Sequence, residues 1–196
     1  YPDADKKLLR STWMVVAHAS FDVANYKDAE DAYTQTLALT DKKDKSYNSL
    51  TENLAASVYK QGEQARILGE HKVAADHFLR VAKVAPNSKI RPTAEYDAAA
   101  SLILLKQWAA VETVLEGFRQ LYPKHKLLPE ITKKLAVVYK EDGKYIKAAA
   151  EFERIEKENP KDDGLRREAL NQAAELYEKA DAKDKSLLVY LKLVDY

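Results

Sequence analysis

Residues 129–160 read PEITKKLAVVYKEDGKYIKAAAEFERIEKENP. Small and aromatic residues fall at helical spacing on both sides of one break. Ala136 and Tyr139 precede Gly143, and Tyr145, Ala148, Phe152 and Ile155 follow it. Glycine closes a helix cheaply because a left-handed residue meets no Cβ clash there. Pro129 stands where a first helical residue would be, where its missing N–H costs nothing, and Pro160 closes the stretch. The reading is therefore two helices joined by a tight turn, which forces them antiparallel.

The same close recurs elsewhere. Ala74, Phe78 and Pro86, then Val111, Leu115 and Pro123, then Ala148, Phe152 and Pro160 repeat one spacing, with the prolines 37 residues apart. A fixed period between about 20 and 50 residues marks one structural unit used repeatedly. Working outward at that period gives helix pairs at Asp5–Ala24 with Asp28–Leu39, Ser46–Leu68 with Glu70–Ala85, Pro92–Leu105 with Trp108–Leu121, Pro129–Glu141 with Tyr145–Glu158, and Asp163–Lys179 with Asp184–Tyr196. Gly69 ends a first helix as Gly143 does, and the Lys-Asp-Asp run at 161–163 offers a capping carboxylate. No stretch alternates apolar and polar residues as a half-buried strand would.

Composition narrows the function classes. The chain has 196 residues, 32 Lys plus Arg against 31 Asp plus Glu, a net charge of +1, five glycines and no cysteine. Balanced charge argues against a nucleic-acid footprint, which needs basic residues gathered on one face. No apolar run approaches the roughly 20 residues of a membrane span, so direct membrane insertion is not expected. Zero cysteines exclude disulfides, cysteine-bearing zinc sites and cysteine nucleophiles. No HExxH, glycine-rich phosphate loop or Gly-x-Ser-x-Gly elbow occurs. No residue is assigned to catalysis, a cofactor or a metal, and the chain is read as not an enzyme. Asp162 and Asp163 read as helix caps, and Asp41 to Lys45 as a solvated linker without the glycine and terminal glutamate of a calcium loop. The four histidines read as ordinary packing or surface residues, His77 as exposed, and only His18 lies on a candidate binding face.

These residues resemble the tetratricopeptide repeat family, whose units are antiparallel helix pairs of about 34 residues. The 129–162 unit carries the small residue Ala136, Tyr139, Gly143, Tyr145, Ala148, Phe152, Ile155 and Pro160 in the family's order. Unit 55–88 supplies Gly62, Ala65, Gly69, His71, Ala74, Phe78, Val81 and Pro86. Units 10–43, 92–125 and 167–196 match less fully, the last being truncated, and Glu95 takes an expected aromatic position. The resemblance implies an all-α fold, a right-handed α-solenoid of about five antiparallel helix–turn–helix repeats, with residues 1–196 a single array. Tyr1-Pro2-Asp3 matches Tyr122-Pro123-Lys124, so the pattern begins and ends in mid-repeat, as a segment of a longer array would.

In that family the first helix of each pair lines a concave groove. The matching positions are Met14, His18 and Phe21; Tyr59, Glu63 and Arg66; Tyr96, Ala100 and Ile103; Lys133, Val137 and Lys140; and Asn171, Glu175 and Glu178. The Lys-Asn-Asn-Lys-Arg clamp by which some relatives grip a C-terminal carboxylate is missing, because Met14 and His18 occupy its first two places. What the resemblance implies is a protein–protein interaction scaffold holding a peptide or helix of a partner in that groove. The alternatives are a structural spacer, which could also self-associate through its terminal repeats, and an accessory region of an enzyme. The period and the Tyr-Pro and Asn-Pro endings are also similar to bacterial envelope repeat proteins, which implies a periplasmic or cell-envelope setting. Phe152, like Tyr33 and Phe78, is expected to fill the space between one pair and the next, its removal costing about 3–5 kcal/mol.

Overall fold

The computed structural model describes residues 5–194. The described residues form ten α-helices and no strand. These are α1 (Lys6–Asp22), α2 (Tyr26–Ala38), α3 (Tyr47–Ile67), α4 (His71–Val84), α5 (Arg91–Leu104), α6 (Trp108–Leu121), α7 (Leu128–Glu141), α8 (Tyr145–Glu158), α9 (Asp163–Lys179) and α10 (Lys183–Val194). Each boundary falls within a few residues of its sequence expectation. The match of Tyr1-Pro2-Asp3 to a repeat close, and the last two residues of the expected final helix, lie outside the described residues. Contacts divide the chain into two compact units, Tyr1–Leu105 and Lys106–Tyr196.

The turn closing each first helix is built the same way. Gly69 and Gly143 take φ of 76° and 73°, and Ala24, Lys106 and Asp181 take φ of 59°, 54° and 53° at the matching places. Beyond them the amide of the next residue reaches back five positions: Glu70 N–H to the Ala65 carbonyl at 2.9 Å and Lys144 N–H to the Tyr139 carbonyl at 2.8 Å. This is the Schellman closure, and it explains why glycine is favoured but not obligatory. Asp162 caps α9 by accepting from the Leu165 N–H at 3.0 Å. Pro92 and Pro129 sit second, not first, in their helices, after Arg91 and Leu128. The second place is as harmless, because its N–H also lacks a helical partner.

In the first unit, α1 to α5 pack consecutively around Ala17, Ala29, Tyr33, Leu54, Val58, Ala74, Phe78, Val81 and Ala98. Two helices come close at Gly62, where an added Cβ would lie 2.7 Å from Cδ1 and Cε1 of Phe78. Glu30 on α2 ties the following pair to its own, accepting from Gln61 Nε2 on α3 at 2.7 Å and from Arg80 Nη2 on α4 at 2.6 Å.

In the second unit, carboxylates of α6 and α8 play the same part. Arg119 on α6 makes a two-pronged pair with Glu151 on α8 at 2.9 and 2.7 Å. Burial opposes the charge of Arg119, yet the Glu151 partner raises its pKa overall. Tyr139 donates to Glu116 at 2.7 Å and Tyr177 to Glu153 at 2.9 Å, one repeat apart. Phe152 departs from expectation. It is only partly buried against Ala136, Ile155 and Ala169, because a concavity beside it leaves part of the ring uncovered. Its truncation should cost nearer 2 kcal/mol than the figure for a sealed core site. His77 is half-buried rather than exposed, and burial lowers its pKa.

Candidate functional site

The candidate face is carried by the first helix of each pair, and the two units treat it differently. In the first unit, Met14, Phe21 and Tyr59 sink part of their surface onto the core. Phe21 also stands edge-on to Tyr26, ring centroids 5.1 Å apart. His18 is exposed but tethered, its Nδ1 2.9 Å from the Tyr33 hydroxyl. That bond gives His18 a structural partner.

Tyr59, Glu63 and Arg66 are brought together on α3 by Asp97 of α5. The Tyr59 hydroxyl donates to Asp97 Oδ2 at 2.6 Å, and Arg66 lies 3.4 Å from Asp97 Oδ1 and 3.8 Å from Glu63. Lys60 completes the chain of charges, 2.6 Å from Glu63. Burial first, and then the hydrogen bond to Asp97, push the Tyr59 hydroxyl well above its ordinary value. Arg66 also lies over the Phe78 ring at 5.7 Å. Two cations and two carboxylates of this network balance one another. Tyr96, Ala100 and Ile103 on α5 are half-buried.

The second unit leaves its face more open. Lys133 and Val137 on α7, Phe152 and Ile155 on α8, and Leu165, Glu168 and Ala169 on α9 enclose a concavity of about 170 Å³. Its walls are mostly apolar, with one cation, Lys133, contributed by α7 and one carboxylate, Glu168, by α9. Val137 remains 51% exposed at its mouth. Lys133 has only a surface partner, Glu130, at 3.0 Å, and Lys140 reaches Gln172 on α9 at 3.3 Å. Asn171, Glu175 and Glu178 lie exposed on α9. The structure thus brings Lys133 and Val137 into one concavity and leaves Lys140 at the next turn.

Asp97, Leu165 and Glu168 were not among the sequence candidates. Glu168 could have been found, since it lies seven residues before Glu175 and so on the same helix face. Asp97 could not, because nothing local says which side chain of α5 meets Tyr59. Among the described residues no group of three or more His, Cys, Asp or Glu could hold a metal ion, and no helix is long and apolar enough to cross a membrane.

No protein-family model matches the chain, and no curated protein matches it. Solved structures do. MamA is 16% identical at a TM-score of 0.53, covering 95% of this chain and 91% of that one. BtubC from P. vanneervenii is 17% identical at 0.52, covering 94% and 78%. The nearly identical TPR-like repeats of a Podosopora anserina kinesin light chain-like protein are 14% identical at 0.50, covering 98% and 96%. At such identities the likeness shows the fold alone. The fold is the all-helical one of tetratricopeptide repeat proteins.

Proposed function

We propose that this chain is a non-enzymatic interaction scaffold that holds a peptide or helix of another protein against the groove faces of its first-of-pair helices. The observation that supports this most is the apolar concavity of the second unit. At about 170 Å³ it is below the 300–1,000 Å³ of small-molecule and cofactor sites, and it suits one large apolar side chain. An exposed apolar spot rimmed by charge is the usual mark of a protein contact. In the first unit, burial and then Asp97 push the Tyr59 pKa up, which keeps the hydroxyl protonated, the opposite of what a general base needs. Groove residues Met14, His18, Phe21, Tyr59, Glu63, Arg66, Tyr96, Lys133, Val137 and Lys140 are the proposed contact set.

The test is selection of peptides from a displayed library, followed by fluorescence anisotropy on the full chain and on Val137→Glu. A charge at the mouth of the concavity should weaken the selected peptides at least tenfold while helicity is unchanged. Ligands indifferent to Val137→Glu, or no ligands at all, would refute the reading.

We also infer that one repeat register, units 10–43, 55–88, 92–125, 129–162 and 167–196, runs through both compact units. The setting we favour is a bacterial envelope, on the resemblance of the period and the proline endings. A second reading, self-association, is supported by α10, where Leu187, Leu188, Leu191 and Val194 lie exposed along one stripe. Sedimentation velocity should then show an oligomer that Leu191→Glu dissolves.

A further inference from the structure

The concavity of the second unit lies between two charged rows. On α7, Lys133 and Lys140 are seven residues apart with Val137 between them. On α9, Glu168 and Glu175 are also seven apart and both exposed. The two helices point the same way, since Lys133 shares the concavity with Leu165 and Glu168 while Lys140 meets Gln172 further along. A cationic row therefore faces an anionic row at matching height, with an apolar opening between.

We propose that this groove takes an amphipathic helix of a partner protein, bearing one apolar anchor, carboxylates on the flank facing α7 and cations on the flank facing α9. The proposal rests on the interaction reading above and names its ligand. Two residues seven apart on a helix are separated by about 10.5 Å along one face. A helical ligand matches that spacing two turns for two turns. An extended peptide repeats the same side every second residue, at about 6.6 or 13 Å, and fits neither row. Complementary rows on both flanks also fix the direction of the ligand, because like charges opposed are repelled. The existing partner of Lys133 is an exposed pair three residues away, worth little and readily exchanged.

The probe is a lactam-stapled peptide of about 18 residues, long enough to hold a helix. It carries one central leucine, glutamates seven apart on one flank and lysines seven apart on the other. Its controls are the same composition with the flanking charges interleaved, and an unstapled form with prolines that cannot be helical. Anisotropy on the full chain should give a Kd about tenfold tighter for the patterned peptide than for the interleaved one. The variant Lys133→Glu/Lys140→Glu, checked by circular dichroism for intact folding, should lose that preference. It should recover it for a peptide whose glutamate flank is changed to lysine. Equal binding of patterned and interleaved peptides, or tighter binding of the non-helical form, overturns the proposal. Binding that depends on Val137 yet ignores the charge pattern would overturn it while leaving the scaffold reading intact.

Discussion

Replacing Gly62 with alanine isolates the close approach of α3 and α4. The new Cβ would stand 2.7 Å from two Phe78 ring carbons against the 3.4 Å at which ordinary contact begins, an overlap of 0.7 Å. Phe78 is 0% exposed, packed on Tyr59 at 5.2 Å and covered by Arg66, so its ring has nowhere to tilt. Overpacking of this kind costs about 1–3 kcal/mol. Against it stands the helix propensity of alanine over glycine, about 0.8–1 kcal/mol in the middle of a helix. The sum is a net destabilisation of about 0–2 kcal/mol. The sign should reverse in a Phe78→Ala background, which itself costs about 3–5 kcal/mol. There the added methyl enters vacated space and Gly62→Ala should stabilise by about 1 kcal/mol. Urea melts followed by Trp13 fluorescence in a Trp108→Phe background report the first unit. The control, followed by Trp108 fluorescence in a Trp13→Phe background, is Gly117→Ala in α6, whose Cβ meets nothing within 4 Å and which should stabilise the second unit by the propensity difference alone. An equal effect of Gly62→Ala with and without Phe78, or stabilisation of the otherwise native chain, would refute the packing argument.

Four further outcomes are expected. Glu151→Ala should destabilise the second unit by about 3 kcal/mol, the low end for a broken buried pair, because it leaves the Arg119 charge, only 15% exposed, with Glu116 at 3.8 Å as its remaining carboxylate, whereas Arg119→Met with Glu151→Leu should come out near neutral in the same melts. Ala24→Gly should raise stability by about 1 kcal/mol, since a left-handed φ of 59° burdens any residue with a Cβ, and Gly143→Ala should lower it by a similar amount in a thermal scan. Burial, reinforced by Glu116 and Glu153, raises the pKa of Tyr139 and Tyr177, so their contribution is present below about pH 10 and is lost as pH rises beyond it, where the unfolded chain ionises first. A pH series of urea melts should show that alkaline loss, and Tyr177→Phe should lessen it. Glu112 acts at the other end. Lys144 and then Lys147 hold its carboxyl below the usual range, so its stabilisation fades as pH falls below about 4.3 and the chain should soften in acid.

The charge and hydrogen-bond pairs behind these outcomes were not visible in the chain, while the helices that carry them were. Helix periodicity, the glycines at 69 and 143 and the prolines at 86, 123 and 160 act over a few residues, and local rules suffice to read them. Helix existence and turn position followed from that, as did the small buried residues Gly62 and Ala136. Asp97 illustrates the limit. Whether it meets solvent or the Tyr59 hydroxyl depends on how α5 is rotated and offset against α3, and that comes from packing across helices distant in sequence. Phe152 failed for the same reason. Its repeat position marks it as core, but whether the ring is sealed depends on how closely α7 and α9 approach above it.

By itself, then, the sequence determined the repeating helix pair, its period and the faces that turn inward, because each rests on short-range geometry and apolar spacing. Only the tertiary structure decided which carboxylate takes which tyrosine, that Tyr59 and Arg66 meet on Asp97, and that an apolar concavity opens beside Lys133 and Glu168. Those outcomes depend on side chains as much as 38 residues apart meeting at distances of 2.6 to 3.4 Å, and no pattern along one helix encodes the approach of another.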